Sequence, residues 1–368
     1  GVCGLFKRPI KILDLSIGRG GDISKYITRN INCSLLVGVD ISSNIDEACK
    51  RFFNVKDKGN TKGAFFRADT SKNLQTKECV LIEGISEKER IHSETLLSIL
   101  YGHSIPLPKQ YEKIDKRYHG NIRGGFDVIS SQFSMHYYFE DSITLYGFIQ
   151  NLKDNLKKGG YFIGTCYDGN KIFNHFKETN HKYKYIWDME HSDLSTKSES
   201  SPKSESSPKS ESEESEEEIY EEYNTFEYKD TFQNTVFSIE KKYTMDDFTY
   251  KQGEEEKMLG NKITVFMDSI GQPIDEYLVN FDFFIDIMQK NGFEIIKPKT
   301  NNNLFHNKYF ENNLGQFKNI LENLSEIRQT DEIFRKYYSE AYEMNIQYIK
   351  SPLSILSSFN NYFVFKKS

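Results

Sequence analysis

The stretch KILDLSIGRGGDISK, Lys11–Lys25, decides how the rest of this chain is read. A largely apolar run, Ile12–Leu15, ends in Gly18, Gly20 and Gly21; Asp22 follows, and then a helix-like segment. Twenty-two residues after Gly18, the run Leu35–Ile41 (LLVGVDI) closes around Asp40. Strand, glycine turn, helix and a second strand tipped by a carboxylate make a nucleotide-binding βαβ unit. Glycines let the backbone approach a ligand where a Cβ would clash. Asp40 is placed to accept hydrogen bonds from two ribose hydroxyls.

The glycine spacing selects the nucleotide. The third glycine of a G-x-G-x-x-G dinucleotide fingerprint would fall at position 23, which is Ile23. No G-x-x-x-x-G-K-[ST] phosphate loop occurs in the chain. A turn with a ribose-binding acid and no phosphate cradle suits adenosine joined to a cationic amino acid, that is, S-adenosylmethionine. Asp14 and Asp22 add negative potential where the sulfonium and amino groups would lie. Taken alone, the same turn also fits a structural strand–helix junction in another α/β protein.

With 368 residues the chain can bury a sizeable core in one large domain or two ordinary ones. No apolar run is long enough to span a membrane, and no signal-peptide pattern opens the chain. Its first residues, GVCGLFKRPIKILD, enter the first strand almost at once, which reads as a piece of a longer polypeptide. Cys3, Cys33, Cys49, Cys79 and Cys166 are odd in number and lack C-x-x-C spacing. They indicate neither a disulfide framework nor a zinc site, and suggest a reducing intracellular compartment. The formal net charge is −6, but residues 188–222 hold 13 acidic and 3 basic side chains, leaving the remainder mildly basic at +4. That balance is compatible with a polyanionic partner without requiring one.

The first half alternates strand-like and helical runs. Strands are expected at Lys11–Ile17, Leu35–Ile41, Ala64–Ala68, Phe126–Ser131 and Tyr161–Cys166. Helices are expected at Gly21–Arg29, Asn44–Phe53 and Leu145–Leu156, the last closed by Lys157-Lys158-Gly159-Gly160. This alternation predicts an α/β, Rossmann-like, doubly wound and mostly parallel sheet. Ligands bind such sheets at the carboxyl ends of the strands, here Gly18–Asp22, Asp40, Asp69 and Gln132-Phe133. The whole of 1–368 reads as a single domain with two insertions. One, 72–125, lies between the third and fourth strands, with helical periodicity at Ile91–Leu100 and a basic run of Lys109, Lys113, Lys116, Arg117 and Arg123; a solvated surface insertion is expected. The other, 190–222, is Ser/Glu-rich, with SESSPK twice, and is expected to be a disordered acidic linker. Beyond it, Thr235–Tyr243, Lys262–Asp268 and Tyr362–Lys366 read as strands, and Leu278–Gln289 and Gly315–Ile327 as helices.

Seven strings occur in order: DLSIGRGGD (Asp14–Asp22), GVDIS (Gly38–Ser42), FFRADTSK (Phe65–Lys72), FDVISSQFSMHYYFED (Phe126–Asp141), LKKGGYFIGTCYDG (Leu156–Gly169), PIDEYLV (Pro273–Val279) and YFVF (Tyr362–Phe365). Together they resemble the mRNA cap guanine-N7 methyltransferases, most of all the methyltransferase domain of the capping enzymes of large DNA viruses. The resemblance implies a class I S-adenosylmethionine-dependent methyltransferase that releases S-adenosylhomocysteine. It implies that Ser16, Gly18 and Asp22, with Asp14 near, face the methionine part of the cofactor. Asp40 would hold the ribose, Asp69 with Thr70 the adenine amino group, and Gln132 the sulfonium end. For the cap guanine it implies Phe133, His136, Tyr137, Glu276, Tyr362 and, ten residues before Glu276, Phe266. Arg19, Lys50 and Arg51 are the candidates for the cap phosphates. The partner implied is the 5′ end of a capped RNA, with triphosphatase and guanylyltransferase domains of the same polypeptide as candidate companions and no membrane. If the protein is viral, its place is the host cytoplasm, in a viral factory or virion. Two positions depart from the family's D-L-G-x-G-K-G-G-D loop, Ser16 for glycine and Arg19 for lysine, and no Asn-x-x-Lys segment precedes Lys11.

The chemistry is consistent with these roles. Guanine N7 carries an in-plane lone pair at neutral pH and can attack a sulfonium methyl with no proton leaving. No residue need act as a general base, so His136, Tyr137 and Glu276 would position rather than react. Placing N7 in line with the S–CH₃ bond can contribute roughly 7–11 kcal/mol. Positive charge moves onto the purine, which aromatic faces and a carboxylate stabilise. Phe133 and Tyr137, four apart, would share one face of a helical turn. Glu276 can accept from guanine N1–H and the 2-amino group, donors that adenine lacks as a pair. Each residue also has a plainer role: core aromatic for Phe133, Phe266 and Tyr362, a hydrogen-bonded structural histidine for His136, a helix N-terminal acid for Glu276, and a helix cap for Asp22. Two other functions compete. One is a catalytically silent methyltransferase-like domain that binds RNA or braces a capping partner. The other is methylation of another acceptor, such as a ribose 2′-hydroxyl, for which no lysine-centred tetrad is found. The linker reading predicts that deleting Ser198–Glu218 leaves the thermal unfolding midpoint and the activity nearly unchanged; loss of either on deletion would contradict it.

Overall fold

The computed structural model describes residues 2–27, 31–55, 59–178, 225–229, 232–296, 310–311, 314–317 and 353–368. The acidic segment 190–222, and residues 318–327 of the expected second-half helix, lie outside these described residues.

Five strands build the parallel body: β1 (Ile10–Asp14), β2 (Cys33–Asp40), β3 (Lys62–Arg67), β4 (Phe126–Gln132) and β5 (Leu156–Tyr167). They lie side by side as β3-β2-β1-β4-β5, all parallel. β4 is buried along almost its whole length, as a strand covered on both faces must be. Alternate residues feed two cores: Ile12, Leu36 and Val128 face one side with Ala48 and Phe52, while Leu13, Val37 and Ile129 face the other. The chain order reverses between β1 and β4, so the cleft above their carboxyl ends is where such a sheet receives a ligand.

Helices α1 (Ile23–Tyr26) and α2 (Ile45–Asn54) follow β1 and β2. α3 (Glu87–Tyr101) and α4 (Glu112–Tyr118) lie between β3 and β4, and α5 (Ser142–Asn155) connects β4 to β5. α3 starts in a capping box, Ser86 with Glu89, and ends on Gly102 in the left-handed conformation. The segment 72–125 is therefore not the solvated surface insertion that its basic run suggested. Leu96, Leu97, Leu100, Tyr101 and Ile122 are core residues. The path from β3 back to β4 needs a covering helix, and α3 is that crossover. Arg123 of the basic run, though exposed, caps the end of α3: its guanidinium donates to the Tyr101 and Gly102 carbonyls.

After α6 (Gly169–Glu178) come four antiparallel strands that form a separate sheet, β6 (Thr225–Lys229), β7 (Thr235–Lys241), β8 (Lys262–Met267) and β9 (Pro273–Tyr277). Glu276 is thus a strand residue and not the start of a helix; α7 begins later, at Phe281, and runs to Lys290 with Asn280 as its cap. Finally β10 (Phe293–Ile295), β11 (Phe310–Glu311), β12 (Leu314–Gln316), α8 (Leu353–Ser358) and β13 (Asn360–Lys367) complete the main sheet. β13 runs antiparallel beside β5, and β10 and β12 share its other edge. Gly315-Gln316 is therefore strand where helix was expected. The run Lys157–Gly160 belongs to β5, with Gly159 left-handed (φ 74°), because α5 already ends at Asn155. At the far end of the sheet Asp127 is buried but receives Arg8 at 2.6 Å, Lys157 at 2.8 Å and the Lys11 amide. Burial alone would raise its pKa; these donors outweigh burial and hold it below the ordinary carboxylate value.

Gly147 of α5 lies against the turn after β3, where a Cβ would overlap the Ser71 carbonyl oxygen. Glycine-to-alanine in an open helix gains about 1 kcal/mol. Here Gly147→Ala should instead cost roughly 1–3 kcal/mol by overpacking, seen as a lower urea midpoint; a higher midpoint would mean that the turn yields freely.

Candidate active site

The cofactor half sits on the tips of β1, β2 and β3. Gly18 turns with φ 50° and its amide donates to Asp40 Oδ2 at 2.7 Å. Open space stands where a Cβ of Gly18 or Gly21 would project, so the loop leaves room for a ligand. Asp40 does more than the sequence suggested and offers less: its Oδ1 also accepts from the Ser42 amide at 2.9 Å and hydroxyl at 2.6 Å. A carboxylate has about four acceptor sites, so most of the capacity of Asp40 is already engaged within the protein. Asp14 lies beneath the loop, taking the Ser16 amide at 3.1 Å and the Tyr26 hydroxyl at 2.9 Å. Burial pushes its pKa up to about 7, against those two bonds. Asp22 does not cap α1; it pairs with Lys25 at 2.5 Å.

Asp69 makes a local turn, accepting from the Ser71 amide and hydroxyl through Oδ1. Thr70 differs from expectation. Its buried hydroxyl donates inward to the Leu15 carbonyl at 3.1 Å and stands 2.5 Å from the Tyr138 hydroxyl, so its proton and one lone pair are engaged within the protein. Tyr138 also lies 3.4 Å from the Ser16 hydroxyl, which ties the non-glycine position of the loop to the turn after β3. The sequence reading missed Tyr138, although it stands next to the His136-Tyr137 pair. Taken together, the open glycine turn, the residual acceptor on Asp40 and the acids around them fit the adenosine and cationic amino acid of S-adenosylmethionine.

The second group of candidate residues lies on and beside β4, β5, β9 and β13. Gln132 ends β4; its amide donates to Ser130 Oγ at 2.9 Å and its carbonyl accepts from Thr165 Oγ1 at 3.0 Å. The next residue, Phe133, has φ 52°, a conformation that costs a non-glycine residue roughly 1–2 kcal/mol. It is held there by its amide donating to the Thr165 carbonyl at 2.8 Å, and its ring is 52% exposed. A 3-10 turn, Met135–Phe139, starts only after it, so Phe133 and Tyr137 do not share a helical face. Tyr137 is 42% exposed, and its ring meets that of His136 edge-on at 4.2 Å. His136 is stacked at 6.2 Å on Tyr167, another residue that sequence reading missed.

His136, on the 3-10 turn after β4, and Glu276, on β9 of the small sheet, are brought together. They are 3% and 5% exposed, and His136 Nε2 lies 3.4 Å from Glu276 Oε1. Among the described residues neither imidazole nitrogen nor Glu276 Oε2 has a hydrogen-bond partner. Burial pushes the Glu276 pKa up to about 8 and that of His136 down to about 3, so near neutrality the empty pair is uncharged.

Phe266 does not join this group. It pairs with Pro273, whereas Glu276 pairs with Ile263, an odd number of residues away along β8. Side chains alternate across a strand, so Phe266 is on the opposite face of the small sheet from Glu276. Tyr362 of β13 lies opposite Thr165 and is part of the same corner as Phe133, with the Phe317 ring against both. The three phosphate candidates lie elsewhere: Arg51 and Lys50 are exposed on α2, and Arg51 (2.5 Å) and Arg19 (3.7 Å) are both drawn to Glu47. α2 packs by β3, on the other side of β1 from the strands that carry Phe133 and Tyr362.

Among the described residues no helix is long and apolar enough to cross a membrane. Residues 107–205 match the model of the mRNA (guanine-N(7))-methyltransferase domain, a span that contains Gln132–Tyr137 and Thr165. The chain is 26% identical over 376 aligned residues to the probable mRNA-capping enzyme of Acanthamoeba polyphaga mimivirus, an alignment that takes in 97% of this chain and 26% of that protein. It is 28% identical over 189 residues to the mRNA cap guanine-N(7) methyltransferase of Neosartorya fischeri (50% of this chain, 26% of the relative). With that of Eremothecium gossypii it is 24% identical over 317 residues (84% and 51%). The chain thus spans about a quarter of the length of the first two relatives and about half of the third. In its domain match and its similarity along nearly the whole sequence, the chain is similar to the mRNA cap guanine-N7 methyltransferases.

Proposed function

We propose that this chain transfers a methyl group from S-adenosylmethionine to N7 of the terminal guanosine of a capped RNA. The observation that supports it most is the buried Glu276 beside His136, with an unpartnered oxygen, at the carboxyl edge of the sheet. An unsatisfied buried polar atom costs about 1–3 kcal/mol. A guest bringing two adjacent donors, as guanine does with N1–H and its 2-amino group, removes that cost. Adenine would leave the carboxylate unpaired, so base selectivity follows from the same group.

The cofactor, when bound, supplies an electrophilic methyl on sulfonium. The protein's own work is placement. Gly18, Asp40 and Asp69 hold the adenosine side, and Gln132 ends the strand between the two ligands. Phe133, Tyr137 and Tyr362 offer aromatic faces to a purine that becomes cationic as N7 is alkylated. No side chain has to take a proton, consistent with a His136 that burial keeps neutral. The chain acts as one domain, and its substrate partner is the RNA 5′ end. The likeness to a viral capping enzyme favours triphosphatase and guanylyltransferase domains as its companions, in a reducing cytoplasmic setting.

Label transfer from methyl-labelled cofactor to GpppRNA tests the reading, with the label found on guanine N7; label on a ribose oxygen would replace it with the 2′-hydroxyl alternative. Glu276→Ala should lower cap methylation by about a hundredfold or more while S-adenosylhomocysteine binds within about twofold of the parent. Methylation at near-parental efficiency would show that the carboxylate does not read the base.

Ionisation gives an independent check. The unfolded carboxyl titrates near its ordinary value of 4.5 and the folded one near 8. Between those values the folded chain keeps a proton that the unfolded chain has released, so this group's contribution makes stability fall as pH rises. Glu276→Gln removes that dependence. Its thermal midpoint should exceed the parent's at pH 7.5 and the gap should close by pH 5; a gap constant with pH would mean that Glu276 is ionised in the empty site. Because the guanine donors need the carboxylate, affinity for a cap analogue should rise between pH 6 and 8 in the parent and not in the variant.

A further inference from the structure

Phe317 stands at the end of β12, with its ring 6.1 Å from that of Phe133 at an interplanar angle of 70°. The same ring lies 6.2 Å from that of Tyr362 at 69°. It therefore meets both rings at steep angles, edge against face. Phe133 and Tyr362 come from β4 and β13, and Phe317 is the residue that joins them into one aromatic corner.

Three features build this placement. Gly315 has no Cβ, and one would overlap the Tyr362 ring, so β12 can lie against β13 with the ring across it. Lys171 of α6 donates to Gln316 Oε1 at 2.5 Å, to Asn361 Oδ1 at 2.8 Å and to the Ser358 carbonyl at 2.9 Å. A cation bridging both strands fixes the register of a three-residue strand that would otherwise be weakly specified. Phe133 is held in its left-handed conformation by Thr165, which faces Tyr362 across the sheet. Much of the molecule's aromatic packing is core, but Phe317 is only half-buried and it touches two rings that are themselves partly open.

We infer that Phe317 is a third aromatic wall of the guanine site, selective for the purine in its cationic, N7-methylated form. A plane seated between Phe133 and Tyr362 turns an edge to the Phe317 face. Aromatic faces attract cations, the more so when water is excluded, and a neutral purine gains less. Phe317 then favours the charge that develops during transfer and also retains the methylated product. The inference rests on the guanine assignment above.

The test is binding of m7GpppG and GpppG to the full chain, followed by titration calorimetry, for the parent, Phe317→Ala, Phe317→Leu, Phe317→Trp and Glu276→Ala. The alanine variant should bind m7GpppG about tenfold more weakly and GpppG less than threefold more weakly. S-adenosylhomocysteine affinity and the thermal midpoint should stay near the parent's, which excludes a general folding defect. Tryptophan should restore the preference for the methylated cap, and leucine, similar in bulk but without a π face, should not. Full rescue by leucine, or equal losses for both caps, would reduce Phe317 to packing and overturn the inference. If Glu276→Ala abolishes cap binding while Phe317→Ala changes nothing, only Phe317 is wrongly placed. If neither variant alters cap binding, the guanine site itself is elsewhere.

Discussion

The carboxyl ends of β1, β4 and β5 are sewn together by one buried run of hydrogen bonds, and the two halves of the site hang from it. Thr165 donates to Gln132, Gln132 to Ser130, and Ser130 stands 2.8 Å from the Tyr26 hydroxyl, which reaches Asp14 under the glycine loop. Thr165 also accepts the Phe133 amide. One end of the run thus touches the loop that would cradle a nucleoside and the other the residue that would face a base. Parallel strands by themselves fix only spacing; this run fixes the glycine loop relative to Gln132 and Phe133, and so would fix the relative position of the two ligands proposed. That is what a reaction depending on alignment, with no proton to move, requires.

The buried His136–Glu276 pair shows the complementary cost. Taking an imidazole and a carboxyl out of water without enough partners destabilises the empty protein. A packed apolar pair would fold more readily. Retaining a polar pair with an oxygen that meets no donor among the described residues is the pattern of a site built for a ligand rather than for stability. The small antiparallel sheet makes it possible. It delivers Glu276 from outside the Rossmann-like body to a histidine on the turn after β4, and the stacked Tyr167 ring supports that histidine.

Loop composition also shifts roles between residues. Ser16 places a hydroxyl where the related loops carry glycine, and Tyr138 answers it while taking up Thr70. Asp40 spends three acceptor positions on the loop and on Ser42. Side chains that sequence assigns to the ligand are here partly committed to the scaffold. Asp40 and Thr70 spend hydrogen-bonding capacity on the scaffold, while His136 and Glu276 are brought side by side by the packing of the two halves.

Sequence by itself determined the alternating strands and helices of the body, because two-residue and near-four-residue apolar periods report directly on which faces are buried. It also located the glycine turn, the carboxylate at the tip of β2 and the string around Gln132–Tyr137, since these depend on local backbone needs and spacing. Tertiary structure decided the rest. Whether Glu276 heads a helix or lies in a strand depends on pairing with β8, and its pleat is what separates it from Phe266. That 72–125 is a core crossover follows from β4 returning beside β1. Phe317 could not be found from its neighbours in sequence at all: its role arises from contacts with Phe133 and Tyr362, made through a strand register that Gly315 and Lys171 set. Local periodicity encodes burial, whereas convergence of distant side chains is a property of the packed sheet edge.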